Sequence, residues 1–283
     1  MIITTVEIIK RFLVIANKGN KTIGFVPTMG ALHEGHLSLI RRAKKENDLV
    51  IVSIFVNPTQ FGPNEDFETY PRNAMHDTNM AYEAGADVVF NPTVREMYPE
   101  GSSTWVNVEG DITSVMCGAS RPTHFRGVTT VVNKLLNIVE PNKAYFGQKD
   151  AQQAAVLKKM VRDLHLNVEL VICPIVREAD GLALSSRNVY LNEEERSQAV
   201  ILNEALQLAR DTYMDGESDV ETLIQLIKDK IETMPLAKID YVNIYAYPSL
   251  APIDQIKQTS IAAVAVQFGK TRLIDNVILN KRK

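Results

Sequence analysis

Two histidines stand three residues apart in the stretch PTMGALHEGH at positions 27–36, where an apolar run gives way to an amphipathic segment. Gly30 and Gly35 flank the first histidine, and residues without a Cβ let a ligand approach the backbone closely. The start of a helix adds free N–H groups and a partial positive charge, which favour a phosphate. His33 and His36 can therefore donate hydrogen bonds to phosphate oxygens as charge builds in a transition state. A zinc site is not indicated, since a third ligand with suitable spacing and the H-E-x-x-H pattern are both absent from the sequence.

Three further groups of polar residues have the side-chain types that a phosphate-transfer site needs. Lys149 and Asp150 fall at a predicted strand-to-helix junction. There an ammonium can neutralise a triphosphate, and a carboxylate can bind a ribose hydroxyl or Mg²⁺. The loop SSR at 185–187 supplies two hydroxyls and a guanidinium that can wrap around phosphates. Gln60 and Gln153 each offer a donor and an acceptor, which suits the hydroxyls and carboxylate of a hydroxy acid.

These residues fall at the ends of a repeating strand and helix pattern. Apolar strands are predicted at 22–27, 49–55, 87–90, 144–147 and 168–176, and helices at 5–17, 35–46, 73–84, 127–139 and 150–163. This alternation predicts an α/β fold with a Rossmann-like, doubly wound parallel sheet that helices cover on both faces. Such sheets bind ligands beyond the carboxyl ends of their strands, which is where the histidines and Lys149 are placed.

The pattern changes after residue 177. A polar loop is followed by helices predicted at 193–214 and 219–233 and by β segments at 239–246, 260–268 and 272–279. We therefore predict two domains. The first, at 1–176, is Rossmann-like and binds the nucleotide, and the second, at 177–283, is a smaller α+β lid domain.

The composition argues against several classes of protein. The chain has 283 residues and a formal net charge of −3, and the basic cluster KRK at 281–283 is short and peripheral, which argues against nucleic-acid binding. Two cysteines, Cys117 and Cys173, lie outside any partner motif, so neither a zinc site nor a disulfide framework is predicted. The N-terminus lacks a basic signal-peptide region, and no apolar run in the sequence reaches membrane-spanning length. We therefore expect a cytoplasmic protein that does not bind membranes.

The sequence resembles a known family of enzymes. His33-Glu34-Gly35-His36 is similar to the HIGH motif of adenylate-forming nucleotidyltransferases, and the wider string PTMGALHEGHLSLI resembles the pantoate–β-alanine ligases, the AMP-forming pantothenate synthetases. Four further blocks carry the same resemblance: FVNPTQFGPNEDFETYPR, RPTHFRGVTTVV, FGQKDAQQ and LALSSRNVYL. The resemblance covers nearly the whole chain.

The resemblance implies an ATP-dependent condensation of pantoate with β-alanine through pantoyl adenylate, with release of pyrophosphate and AMP. It also implies that Mg²⁺ enters with ATP and that the protein is a homodimer joined through its N-terminal domain. The catalytic residues that it implies are His33, His36, Lys149, Ser185, Ser186 and Arg187. The other implied contacts to ATP are Met29, Gly30, Asn57, Gly147, Gln148, Asp150, Val176 and Leu184. Pantoate is expected to contact Met29, Gln60, Phe61, Val131, Val132 and Gln153, and β-alanine to contact Tyr70.

Two positions depart from the family pattern. The family often has an aromatic residue where this chain has Ala151, and methionine where it has Leu184. Both departures keep an apolar residue beside the polar positions. They therefore bear on local packing and on the contacts to adenine rather than on the reaction type.

Three other functions stay open on the residues alone. A nucleotidylyltransferase of the same fold would act on a phosphorylated acceptor, although the paired glutamines and the apolar wall suit a small branched hydroxy acid better. A non-catalytic nucleotide sensor would bind ATP without any pantoate-dependent exchange of pyrophosphate. A tRNA-charging enzyme would need an anticodon-binding domain and a basic surface, and the sequence indicates neither.

Overall fold

The central element of the fold is a six-stranded sheet. The computed structural model describes residues 1–17, 20–63 and 65–281, so Arg282 and Lys283 of the terminal basic cluster lie outside the described residues. Every neighbouring pair of strands in the sheet is parallel. The strands are β1 (Ile2–Ile3), β2 (Ile23–Thr28), β3 (Leu49–Ile54), β4 (Val88–Phe90), β5 (Lys143–Gly147) and β6 (Glu169–Cys173). Continuous apolar runs form them because such a sheet is covered on both faces, and every residue of β3 is buried.

The order of the strands creates a crevice beside β2. The sheet runs β1-β4-β3-β2-β5-β6. From β2 the chain moves outward to β3 and β4 and then returns to β5 on the other side of β2, so the winding direction reverses between β2 and β5. A ligand crevice forms beyond the carboxyl ends of strands at such a switch point. The segments that follow Thr28 and Gly147 carry the histidine pair and Lys149, so these segments start side by side.

Helices cover both faces of this sheet. They are α1 (Val6–Asn17), α2 (Glu34–Glu46), α3 (Ala74–Glu83), α4 (Val94–Met97), α5 (Asp111–Ser114), α6 (Cys117–Ser120), α7 (His124–Val139) and α8 (Ala151–Asp163). Consecutive residues of β2 show how the two faces are shared, because successive side chains of a strand point to opposite sides. Phe25 belongs to the buried cluster that contains Val128 of α7, whereas Val26 belongs to the one that contains Ile40 of α2.

A second, antiparallel sheet follows. Its strands are β7 (Ala237–Ala246), β8 (Ser260–Phe268) and β9 (Thr271–Leu279), in that order. The helices α9 (Glu193–Ala199), α10 (Ile201–Met214) and α11 (Val220–Glu232) belong to this part of the chain, and they form one apolar core with the sheet. Ile261 and Ala263 of β8 pack instead with Phe125 and Ala151, so the second sheet rests on α7 and α8 through buried apolar side chains.

The fold class predicted from the sequence is confirmed. Every predicted strand and helix is present, with ends that differ by about three residues or fewer. The helix predicted at 193–214 is two helices that meet at Val200, and β1 and the four-residue helices α4, α5 and α6 were not predicted. The division between residues 176 and 177 stays a prediction. None of the helices formed by the described residues is both long and apolar enough to cross a membrane.

Candidate active site

The turn between β2 and α2 fixes the position of the histidine pair. Gly30 and Ala31 both have positive φ angles, of 81° and 49°, which turn the chain before the helix begins. The buried carboxylate of Asp77, on α3, accepts hydrogen bonds from the backbone N–H groups of Ala31 and Leu32 at 2.9 and 2.8 Å. This anchor was not predicted from the sequence, because Asp77 lies more than forty residues away along the chain.

Each of the two imidazoles caps α2 through its own Nδ1 atom. His33 is the N-cap residue, and its Nδ1 accepts from the backbone N–H of Gly35 at 3.1 Å. The Nδ1 of His36 accepts from the backbone N–H of His33 at 3.4 Å, and the ring centroids lie 4.1 Å apart. A neutral imidazole that accepts at Nδ1 carries its proton on Nε2, a tautomer assigned here from the hydrogen-bond pattern. Each ring therefore has an Nε2–H group as a donor.

Both imidazoles are neutral at physiological pH. Burial, followed by the positive charge of Lys149, lowers the pKa of His33 from 6.5 to about 4, while Asp150 opposes this shift. Burial, followed by the neighbouring His33 and by Lys149, holds the pKa of His36 well below 6.5. Neutral donors are suited to a transition state, because their hydrogen bonds strengthen as charge develops on the oxygen that accepts them.

A 3₁₀ turn at Gln148–Asp150 carries Lys149 from the end of β5 into α8. The Lys149 side chain is 21% exposed, and its Nζ lies 3.8 Å from Asp150 Oδ2. A Cβ added at Gly147 would meet no atom within 4 Å, so the end of β5 faces open space. An ammonium, a carboxylate and an unobstructed backbone thus adjoin the imidazole pair.

The loop that carries Ser185, Ser186 and Arg187 contacts the first part of the chain at two places. Ser186 Oγ donates to the carbonyl oxygen of Ala31 at 3.0 Å, next to the histidine turn. The guanidinium of Arg187 pairs with both carboxylate oxygens of Asp66 at 3.0 and 2.8 Å and lies over the ring of Tyr70 at 5.8 Å. The loop therefore joins the histidine turn to residues 66–70.

Gln60, which was predicted to contact pantoate, has both ends of its amide bonded within the protein. Its Oε1 accepts from Asn57 Nδ2 at 3.1 Å, and its Nε2 donates to Met29 Sδ at 2.9 Å. Asn57 is 1% exposed and is bonded within the protein, to Gly127 O and to the Tyr98 hydroxyl as well as to Gln60. It therefore fixes the Gln60 amide, and its predicted contact with the nucleotide stays a prediction.

His124 and Arg121 are site residues that the sequence analysis did not single out, although both belong to the block RPTHFRGVTTVV. His124 Nδ1 donates to the carbonyl oxygen of Gln60 at 2.9 Å, and its Nε2 accepts from Arg121 at 3.1 Å. Arg121 in turn forms an ion pair with Glu65. Burial, followed by the charge of Arg121, lowers the pKa of His124 from 6.5 to about 4. The neutral ring has the opposite tautomer to that of the histidine pair.

Nearly all of the predicted residues line one cavity of about 230 Å³ at the switch point; the exceptions are Gly30 and Gln148. Gly30 shapes the turn, with its N–H group bonded to Thr28 Oγ1 at 3.1 Å. Gln148 Nε2 donates to Asn276 Oδ1 at 3.2 Å. Both were predicted to contact ATP; neither lines this cavity, and their contact with ATP stays a prediction.

A wider cleft of about 1400 Å³ lies between the two sheets and shares part of its wall with the smaller cavity. The shared residues are Arg121, His124, Lys149, Asp150, Gln153, Ser185 and Arg187. Of the two departures from the family pattern, Leu184 lines the smaller cavity, whereas Ala151 lines the wider cleft and packs at the junction of the sheets. The lysine and the arginine loop thus face both spaces.

Known proteins similar to this chain were found in sequence and in structure. The family model described as Pantoate-beta-alanine ligase matches residues 1–278. A pantothenate synthetase from Acetivibrio thermocellus is 57% identical over 278 residues, which are 98% of this chain and 99% of that protein. One from Pelotomaculum thermopropionicum is 54% identical over 281 residues, with 99% of each chain covered.

Two solved structures are also similar. The crystal structure of pantothenate synthetase from Thermus thermophilus superposes with a TM-score of 0.94 at 45% identity and covers 99% of both chains. Pantoate-beta-alanine ligase from Francisella tularensis, solved in complex with beta-gamma ATP and β-alanine, superposes with a TM-score of 0.79 at 38% identity. That alignment covers 99% of this chain and 97% of the other.

Proposed function

The chain belongs to the pantoate–β-alanine ligase family, and we propose that the cavity beyond β2 and β5 is where it forms pantoyl adenylate and converts it to pantothenate. The activity is the ATP-dependent condensation of pantoate with β-alanine. Pantoate attacks the α-phosphorus through a carboxylate oxygen, the bond to the bridging oxygen breaks, and pyrophosphate leaves. The amine of β-alanine then attacks the acyl carbon, AMP leaves, and an amine proton is released. Family membership gives no support to the tRNA-charging, sensor and nucleotidylyltransferase alternatives.

The observation that carries the proposal is the pair of neutral imidazoles beside an ammonium. The Nδ1 atoms of His33 and His36 are bonded to backbone N–H groups, so the proton of each ring is on Nε2. Lys149 is close enough to lower the pKa values of both rings. We assign the two Nε2–H donors and the ammonium to the phosphate oxygens, on which negative charge accumulates as pyrophosphate leaves.

The substrates supply both the carboxylate and the amine, so a protein nucleophile is not required. Catalysis then rests on charge stabilisation and on orientation, and good orientation alone can contribute about 7–11 kcal/mol. The Oε1 of Gln60 is held by Asn57, while its Nε2, among the residues that the structure describes, donates only to a sulfur, which is a weak acceptor. We therefore assign this amide N–H to a pantoate oxygen, with Gln153 as its partner.

An apolar wall suits the gem-dimethyl group of pantoate. Val131 and Val132 are buried on α7 and line the cavity, together with Phe61 and Met29. Methyl groups gain about 25 cal/mol for each Å² that is removed from water, so this wall favours a branched acid over a linear one.

We assign Ser185, Ser186 and Arg187 to the phosphates from the opposite side of the cavity. The ion pair between Arg187 and Asp66 is partly exposed, so its guanidinium can exchange the carboxylate for a phosphate at modest energetic cost. Tyr70 lies beneath that guanidinium, and we assign β-alanine to the space that these two side chains border.

Mg²⁺ is proposed to enter with ATP. Within the described ranges no three acidic, histidine or cysteine side chains are grouped so as to hold a metal ion. Mg²⁺ usually binds through one or two carboxylates together with phosphates and waters, and the Asp150 carboxylate on the cavity wall fits that requirement. When bound, Mg²⁺ would supply positive charge to the phosphates. Asp150 is equally suited to accept a hydrogen bond from a ribose hydroxyl.

The homodimer and the cytoplasmic location are proposals as well. Large apolar side chains are exposed on α1 of the predicted N-terminal domain, at Ile8, Val14 and Ile15, and exposed apolar groups of this kind are typical of a contact surface. Light scattering of the purified chain should give twice the mass of one chain; a monomer at micromolar concentration would contradict the dimer.

Pantoate-dependent exchange of labelled pyrophosphate into ATP tests the assigned roles. Removing one transition-state donor typically lowers a rate about 100-fold to 1000-fold, so His36→Ala and Lys149→Ala should each lose at least that much exchange. His76→Ala and Lys158→Ala are matched controls, since both side chains are exposed away from the cavity. Folded His36→Ala or Lys149→Ala protein that retains near-normal exchange would overturn the assignment.

A further inference from the structure

A single side chain of the second sheet holds the turn that carries Lys149. Asn276, on β9, is 3% exposed. Its Nδ2 donates to the carbonyl oxygens of Gln148 and Lys149, both at 3.0 Å, and its Oδ1 accepts from Gln148 Nε2 at 3.2 Å. Both amide hydrogens and the amide oxygen of this asparagine are therefore bonded to the turn.

The neighbouring residue of β9 holds the other phosphate-binding segment. Successive strand residues point to opposite faces, so Asp275 and Asn276 reach different parts of the chain. Asp275, also 3% exposed, pairs with both ends of the Arg177 guanidinium at 2.6 and 3.0 Å. Arg177 also donates to the carbonyl oxygen of Gly181 at 3.0 Å, a few residues before the serine loop. The backbone N–H of Asn276 donates to Asp275 Oδ1 at 2.7 Å, which ties the two contacts together.

An asparagine side chain is well suited to hold the 148–150 turn in place. Two carbonyl oxygens side by side need two N–H donors from one group, which an asparagine amide supplies and a carboxylate or an alkyl group does not. Carbonyl oxygens that are buried without a donor are unfavourable, so loss of the amide would make the turn move to find other partners. A displacement of about 1 Å at a catalytic group can lower a rate about 100-fold.

We propose that Asn276 is a positioning residue for adenylate formation: through the backbone of the 148–150 turn, β9 sets where the Lys149 ammonium meets the phosphates. The proposal rests on the phosphate-binding role assigned to Lys149 under the proposed function. Asn276 lines the wider cleft but not the smaller cavity, and it acts through Lys149. In this way a residue of the second sheet takes part in the reaction.

The test compares two substitutions that rank differently in packing and in hydrogen bonding. Asn276→Leu keeps the branched, four-atom shape of the side chain, although it is larger, and it shares a face of β9 with Ile274 and Ile278, but it has no donor. Asn276→Ser leaves unfilled space but keeps one O–H donor. We expect exchange of pyrophosphate to fall about 100-fold in Asn276→Leu and less in Asn276→Ser, with the KM for pantoate within about twofold of the original. The proposal would be overturned if the exchange rates of the two variants followed their melting temperatures and not the number of hydrogen-bond donors at position 276.

Asn280→Leu is the matched control, because Asn280 follows β9 directly and its side chain is exposed. A double-mutant cycle combines Asn276→Leu with Lys149→Ala, and the affinity for ATP is measured by calorimetry in each variant. If Asn276 acts through Lys149, Asn276→Leu should weaken ATP binding in the original chain but not in the Lys149→Ala background, so the two effects should not multiply. Effects that multiply, or an Asn276→Leu protein as active as Asn280→Leu, would refute the positioning role.

The two proposals fail in different ways. If Lys149→Ala keeps normal exchange and normal ATP affinity, the assigned role of Lys149 is wrong, and the positioning role of Asn276 is lost with it. If Lys149→Ala is inactive while Asn276→Leu is fully active, the function stands and only the positioning role is refuted.

Discussion

Acid should destabilise this protein because some of its histidines are neutral in the folded state, and His124 offers the clearest test. Burial, followed by the positive charge of Arg121, lowers the pKa of His124 from 6.5 to about 4. The unfolded chain binds this proton near pH 6.5 and the folded chain only near pH 4. The stabilisation is therefore complete above pH 6.5 and is lost as the pH falls from 6.5 towards 4.

The size of the effect follows from the two pKa values. At pH 5 the unfolded histidine is largely protonated and the folded one largely neutral, so His124 should lower the free energy of unfolding by about 2 kcal/mol relative to pH 7. The pKa of His33 is lowered to the same value, so His33 should add about 2 kcal/mol more. Together these losses are a large part of the roughly 5–15 kcal/mol that stabilises a typical domain.

Urea unfolding at pH 7 and pH 5, with the original chain and His124→Asn, isolates the contribution of His124. Asparagine retains an N–H group that can donate to the carbonyl oxygen of Gln60, but it does not titrate. We expect the decrease in unfolding free energy between pH 7 and pH 5 to be smaller by about 2 kcal/mol in His124→Asn. His76→Asn, at an exposed position on α3, is the control and should alter that decrease by less than about 0.5 kcal/mol. The same decrease in His124→Asn as in the original chain would refute the reasoning, as would an NMR titration of His124 with a midpoint near 6.5.

Two glycines and one buried ion pair give further predictions. Gly127→Ala would bring a methyl group into overlap with the Thr59 carbonyl oxygen, so urea unfolding should show a loss of about 1–3 kcal/mol, and the KM for pantoate should rise. Gly147→Ala meets no atom within 4 Å, so its stability should change by less than about 0.5 kcal/mol, while the added methyl raises the KM for ATP; an unaltered KM would contradict a triphosphate at this wall. Burial raises the pKa of Asp275 and Arg177 opposes that shift, so Arg177→Met should cost about 3–5 kcal/mol in urea unfolding. Arg210→Met, which breaks an exposed pair, should cost less than about 1 kcal/mol, and equal losses in the two variants would contradict the difference in burial.

The elements that were predicted well from the sequence are those in which the apolar pattern extends over many residues. Strand β3 has six buried residues in a row, and α7 carries a full apolar face, so both stand out from their surroundings. Strand β1 has only two residues and α4, α5 and α6 have four each, which is too short for a period of 2 or 3.6 residues to be visible. Length, more than amino-acid type, separated the predicted elements from the missed ones.

The candidate site was predictable where one short segment carries the chemistry and not where distant segments meet. The spacing of His33 and His36 indicated donors at the start of a helix, because capping depends on neighbours in the sequence. The support of Gln60 was not visible, since His124 contacts its carbonyl oxygen from 64 residues away. The bond from Asn57 to the carbonyl oxygen of Gly127 was not visible either, because Gly127 lies 70 residues further along the chain.

The contacts that join the two sheets differ in how readily they can break, and this difference indicates which parts of the site can move. Ile261 and Ala263 are buried against Phe125 and Ala151, and separating the sheets would expose this apolar surface to water. The carboxylate of the Arg177–Asp275 pair is also buried, and breaking the pair would leave this carboxylate without a counter-charge. By contrast, the pair of Arg187 with Asp66 is about a quarter exposed and can exchange with water or phosphate. Rearrangement around a nucleotide is therefore least costly in the serine loop, while the sheets and the 148–150 turn keep their relative positions.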